Sequence, residues 1–146
     1  MQFQVATTIA AELDDVTRFD TPRQQAAYVG LHPGEYTSAG NQDQGRIAKT
    51  GNSHSRRVLV EGAWSYRHPA RVSKEIQVRQ ESLPEEIRDI AWKAQVRLCK
   101  RYRRLSARGK HQNVITTAVA REMQAFMWVI AKKVQIAQSS QTALAG

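Results

Sequence analysis

The stretch YVGLHPGEYTSAGNQDQGRIAKTGNSHSRRVLVEGAWSY, residues 28–66, decides how this chain is read. It opens as the end of one helical pattern, crosses a polar segment and re-enters a helix near Asn52. Gly34, Gly40, Gly45 and Gly51 fall in the polar segment and Gly62 lies beyond it, five of the chain's eight glycines. Apolar or aromatic residues hold both ends, and the middle offers hydroxyls, amides and positive charge. A long glycine-rich loop between apolar segments is more often functional than connective. Ser38 sits within it, after Thr37 and before Gly40, with Arg46, Lys49, His54, Arg56 and Arg57 following.

Upstream, residues 3–16 carry Val5, Ile9, Leu13 and Val16 at helical spacing. Thr21-Pro22 reads as a helix start, a capping hydroxyl followed by proline in the first turn. Gly30 marks its stop, and His32-Pro33-Gly34 confirms the break. Downstream, Asn52 or Ser53 can cap a helix to about residue 67, with Val58, Leu59, Ala63 and Tyr66 inward. Arg56 and Arg57 near its start oppose the helix dipole, at a cost of up to about 1 kcal/mol. That placement suggests service to a ligand. Pro69 opens a short helical stretch with Val72, Ile76 and Val78 inward.

Ser82-Leu83-Pro84-Glu85-Glu86 then restarts a long helix to about residue 108, with cap, proline and acids in its first turn. Ile87, Ala91, Ala94, Leu98, Tyr102 and Leu105 form its apolar stripe. Lys93, Arg97, Lys100, Arg101, Arg104 and Arg108 form a basic stripe on roughly the opposite side. Residues 112–137 make a last helix with Ile115, Val119, Met123, Phe126, Ile130 and Val134 inward. The expected fold is all-α: one compact helical domain over residues 1–138, with a glycine-rich catalytic loop, a long basic helix and a frayed tail at 139–146.

A chain of 146 residues supports one domain with a real core. Its formal charge of +9 is uneven: residues 1–45 hold two basic residues against six acids, and the rest hold 20 against seven. Such a balance favours a polyanion, nucleic acid before an acidic membrane. The lone Cys99 excludes an internal disulfide and a cysteine-based metal site, and fits a reducing compartment. No apolar run of membrane-spanning length and no signal peptide is read.

A run of like charge is ordinarily a solvated helix face, but such faces interleave both signs to gain pairs one turn apart. Eight cations and no acid lie between Lys93 and Lys110. They repel one another unless something anionic lies against them, which points to a phosphate backbone. Ser38 alone would be a turn residue, and the glycine of a G-x-S-x-G elbow is absent before it. Among fixed cations, however, a serine has suitable surroundings for attack on a phosphodiester. His32 and His54 are candidate proton carriers, although single histidines are more often surface or structural residues. The acids form no metal cluster, and no Walker or dinucleotide pattern appears.

Tyr28, Gly30, Leu31, Pro33, Glu35, Tyr36 and Ser38, then Gly45, Ile47, Lys49, Gly51, Asn52, Arg56, Arg57, Leu59, Glu61, Ala63 and Trp64, occur in a distinctive order. That order resembles the C-terminal domain of the insertion sequence 110/116/902 transposases, the serine transposases guided by a bridge RNA. The runs RFDTPRQ and WKAQVRLCKRYRRL resemble the same family, so the similarity covers about residues 3–134. It implies a nucleophilic serine that forms a covalent phosphoserine link to DNA and later reverses it. By position that serine is Ser38. The resemblance also implies a RuvC-like N-terminal half whose acids bind magnesium, with no cofactor in this chain itself. DNA, guide RNA and further copies of the protein are the implied partners, in the bacterial cytoplasm at the nucleoid.

The resemblance assigns the cations no individual roles. From charge and position, Arg46, Lys49, Arg56 and Arg57 are expected to contact nucleic acid near Ser38. Thr37-Ser38-Ala39 departs from the family's Ser-Ser-Gly, and Arg46 and Ala48 replace a commoner glycine and threonine. The chain reads as starting inside the domain, a truncated or mis-started frame inactive without its other half. A non-catalytic nucleic-acid-binding remnant and a helical interaction module are the competing readings.

Overall fold

The computed structural model describes the backbone of residues 3–38, 41–48 and 50–146, and the side chains of the same residues except 3 and 33–46. The domain is helical, as expected: α1 (Phe3–Leu13), α2 (Pro22–Tyr28), α3 (Ser53–Ala63), α4 (Lys74–Gln80), α5 (Glu85–Ala107) and α6 (Gln112–Ala145). One antiparallel hairpin is added where the polar segment was expected to be loop: β1 (Pro33–Ser38) and β2 (Asn41–Ile47). Its strands lack the alternating apolar pattern that would announce them. They are joined through backbone pairing, with a register shift between Pro33 and Glu35, where Gly34 falls.

α6 is the central element, and α2, α3 and α5 all pack on it. Its buried Ile115, Val119, Ala120 and Met123 recur at steps of one, three and four. Facing them are Leu59 and Ala63 of α3 and Leu98, Cys99 and Tyr102 of α5, in the same apolar cluster as Val5, Ile9 and Leu13 of α1. Each fully buried aliphatic side chain here contributes roughly 1.5–3 kcal/mol through lost water contact. α1 packs on α3 at Gly62, where an added Cβ would stand 2.9 Å from a Val5 methyl carbon. Gln124 of α6 donates to the side-chain carbonyl of Gln25 in α2, both buried. Trp128 Nε1 donates to the Phe19 carbonyl at 3.1 Å.

The start signals succeed unevenly. Thr21 and Asn52 cap α2 and α3 through their side chains. The expected start at Pro69 moves to Ser73, which caps α4. α4 buries no residue, and Val72 and Val78 are exposed instead of inward because no element packs across that short helix. α5 begins after Pro84 without a side-chain cap, although Glu85 and Glu86 complement its dipole as read. α6 continues through residues 139–145, past the end of its apolar pattern, and those residues are exposed. Val134, expected inward, is also exposed. α6 is also long and apolar enough to cross a membrane by length and composition alone, a test that the core helix of a folded domain passes as well. In this fold its buried side chains face α2, α3 and α5.

Candidate nucleic-acid interface

The hairpin is anchored where it leaves the end of α2. Leu31, just before β1, is fully buried, and Ala48 N donates to the His32 carbonyl at 3.1 Å beyond the last strand pair. Arg18 sits over both Phe19 and Tyr28, 4.7 and 4.6 Å from their ring centroids, and so holds the end of α2 against the segment that precedes it. After β2 the chain must return to the same place. Gly51 makes that return at φ +94°, with the position of a Cβ only 2.0 Å from the Tyr28 carbonyl oxygen. Any other residue there meets both a left-handed backbone and a collision with backbone.

Asn52 then completes the junction. Its N–H donates to that same Tyr28 oxygen at 2.9 Å, and its side-chain oxygen accepts from Ser55 N at 2.9 Å. Its Nδ2 donates to Glu12 Oε2 of α1 at 2.8 Å. One asparagine thus joins α1, the end of α2 and the start of α3.

Ser38 is the last residue of β1, opposite Asn41, at the end of the hairpin away from this junction. Five strand steps separate it from Pro33, roughly 17 Å of extended chain. Arg46 is at the other end of the hairpin, next to Ile47, which pairs with Pro33. Their side chains, and Lys49 altogether, lie outside the described residues.

Arg56 and Arg57 lie in the first turns of α3, and both have partners within the chain. Arg56 donates from its guanidinium to the Val29 carbonyl at 3.2 Å, capping the end of α2. Arg57 pairs with Glu61 one turn on at 2.9 Å. The dipole cost inferred from sequence is thus offset, at least in part, inside the fold. His54 is exposed, 4.0 Å from Glu12, and His32 Nδ1 is buried with no hydrogen-bond partner among the described residues. Both belong to the junction end of the hairpin, opposite the end that carries Ser38.

The basic stripe on α5 divides. Lys93, Lys100, Arg104 and Arg108 are exposed and have no ion-pair partner among the described residues. Arg97 and Arg101 instead meet Glu122 of α6. Arg97 Nε donates to one carboxylate oxygen, while Arg101 Nε stands 3.3 Å from the other without hydrogen-bond alignment. The acid that neutralises part of the stripe comes from another helix, so reading α5 alone could not find it. Behind the stripe, burial pushes the Cys99 thiol up from its ordinary range, against a smaller opposing effect of Arg103. Burial likewise pushes the Tyr66 hydroxyl up to about 12, with Cys99 adding to it.

A second basic surface escaped the sequence reading. Trp64, Arg67, Tyr102, Arg103, Ser106, Ala107 and Gln112 line an open groove of about 520 Å³ between the end of α3, α5 and the start of α6. The signal available was Trp64 with Arg67 three residues on, a spacing that stacks the guanidinium over the indole 4.6 Å from its centroid.

The description "Transposase IS116/IS110/IS902 family" matches residues 1–77. A Sinorhizobium fredii protein named "Putative transposase y4qE" is 50% identical over 128 residues, covering 88% of this chain and 33% of its own length. A Pseudomonas aeruginosa protein named "Probable family 20 transposase" is 40% identical over 58 residues, 40% of this chain and 17% of its own. The chain thus spans a third or less of the length of these curated relatives. No solved structure matches it.

Proposed function

Because this chain belongs to the IS116/IS110/IS902 transposase family, we propose that it acts in DNA transposition as the serine-bearing helical part of a transposase. Ser38 is the nucleophile, and the cations of α5 and of the hairpin junction hold nucleic acid. The observation that supports this reading is the place of Ser38 as the last residue of β1, opposite Asn41 and at the other end of the hairpin from the buried Leu31. A group that must enter a DNA backbone needs such a site, reachable by a partner too large for any pocket.

The chemistry is a transesterification. Ser38 Oγ forms a bond to phosphorus as the bond from phosphorus to one sugar oxygen breaks. That oxygen leaves as a hydroxyl and takes up a proton, while the serine proton passes to solvent or a base. The reverse step, with a different strand end as nucleophile, joins new partners and frees the serine. Because one ester replaces another, the bond energy is retained for rejoining. Arginines near the phosphate would offset charge developing on its oxygens. Among the described residues no group of three His, Cys, Asp or Glu side chains could hold a metal ion.

The reading also includes guide RNA and further copies of the protein as partners, in the cytoplasm where bacterial DNA lies. The test is to combine this chain with the RuvC-like half, guide RNA and target DNA, and to look for a covalent protein–DNA adduct. An adduct absent from Ser38→Ala is expected, and one that persists in that variant overturns the assignment. The competing reading, a basic nucleic-acid-binding remnant without chemistry, draws on the exposed cations Lys93, Lys100, Arg104 and Arg108 of α5. It expects salt-sensitive binding with no adduct in the wild type.

A further inference from the structure

We propose that the groove beside Trp64 is a binding site for an unpaired nucleotide within a single strand, separate from the exposed cationic stripe of α5. The inference rests on the reading that this chain binds nucleic acid and adds to it which form is bound and where. Trp64 and Tyr66 share one 3-10 turn, Trp64–Arg67. Tyr66 is turned into the core while Trp64 is left 43% exposed. A single exposed apolar residue is ordinary, but this one is not alone. Arg67 lies over the indole, and Arg103 reaches the same groove from α5.

Among the described residues no acidic side chain lines the groove, so its charge is complementary to a phosphate. Its volume falls within the range of small-ligand sites. At its edge Gln112 donates to the Tyr102 hydroxyl, so both groups are already engaged with each other. That leaves aromatic surface and cations as the recognising chemistry. Together these suit a stacked base with a flanking phosphate, with little preference among bases. In a duplex the base faces are covered by their neighbours and cannot reach an indole. The groove is also distinct from the stripe in space. Arg103 follows Arg101 by two residues, about 200° around the helix, and Arg101 is turned toward Glu122.

The test uses the whole chain and fluorescence anisotropy with four labelled probes of equal length: oligouridylate, oligothymidylate, a DNA duplex and an abasic DNA strand. Trp64→Ala is expected to weaken binding of the base-bearing single strands about tenfold. Trp64→Phe should retain most of that affinity, and binding of the duplex and the abasic strand should be unchanged. Loss confined to the uridylate or to the thymidylate also supports the site and names its ligand as RNA or DNA. Arg103→Gln, on an exposed helix face, provides a second variant should Trp64→Ala fold poorly, and it should weaken the same probes selectively. An equal loss on all four probes, or none on any, overturns the site. If the wild type binds no probe in a salt-dependent way, the underlying nucleic-acid reading falls with it. Salt-dependent binding that is blind to Trp64 overturns only the groove.

Discussion

The hairpin at residues 33–47 and the helix at Ser53–Ala63 are neighbours in sequence and are held in opposite ways. α3 buries Ser55, Leu59, Gly62 and Ala63 on one face against α1 and α6. The hairpin carries mostly polar residues and glycine, and its strands pair chiefly with each other. An isolated two-stranded hairpin is marginal in water. This one therefore depends on the junction at its base, where Leu31, Tyr28, Gly51 and Asn52 meet. Stability resides in the helices, and the serine proposed as nucleophile is carried on an element that adds little to it. Such a division suits a site that must accept a bulky strand and release it.

The harshest challenge to this division is a change at the junction itself. Gly51→Ala is expected to cost about 3–4 kcal/mol in urea denaturation, more than a typical substitution. The left-handed backbone accounts for roughly 1–2 kcal/mol, and displacement of the Tyr28 backbone for the remainder. A loss below about 1 kcal/mol would mean that the hairpin base can shift freely, and the contrast between a fixed base and a free end would fail.

Where burial follows a repeating pattern, the sequence is legible. Val5, Ile9 and Leu13, or Ile115, Val119 and Met123, reveal their helices because only a helix puts them on one side. Thr21 and Asn52 reveal starts because a side-chain acceptor must meet the first free N–H groups. The hairpin was not legible, since backbone pairing without a buried face leaves no periodic trace. Ser38 is singled out by a family resemblance and not by spacing. The partners of Arg56, Arg57, Arg97 and Arg101 within the chain were not legible, because Val29, Glu61 and Glu122 lie on other turns or other helices. The Trp64 groove depends on three segments that only folding brings together.

A second test concerns pH and should touch the helical region alone. The Tyr66 hydroxyl is pushed up to about 12, first by burial and then by Cys99. Between the ordinary tyrosine value and 12 the unfolded chain has lost this proton and the folded chain keeps it. The unfolded state then binds fewer protons, so stability falls as pH rises. The contribution is fully present below about pH 10 and declines by up to about 1.4 kcal/mol per pH unit above it. Tyr66→Phe should flatten that decline when denaturation is followed across the window. An unchanged slope would place the alkaline sensitivity elsewhere.

A smaller effect separates the fold's use of charge from the ligand's. Glu122→Gln leaves Arg97 and Arg101 without their carboxylate, and should cost about 1 kcal/mol, between exposed and buried ion pairs. The same change frees two guanidinium groups on α5. Binding to duplex DNA should tighten, and the slope of log affinity against log salt should steepen by about one phosphate contact. Weaker binding would mean that Glu122 holds the arginines in a shape that DNA requires, so that fold and interface are not separable at this point.

The smallest stability effect is expected where the chemical effect is largest. Ser38→Ala removes one oxygen at the free end of the hairpin, opposite Asn41. With the strand pairing made by backbone groups, the melting curve should match the wild type within about 0.5 kcal/mol, while the covalent adduct disappears. Both measurements are needed, because a loss of adduct in a destabilised protein says nothing about a nucleophile. A melting temperature lowered by several degrees would show that the hydroxyl supports the hairpin itself. The serine would then be part of the scaffold, and the separation of stability from chemistry would have to be drawn at another residue.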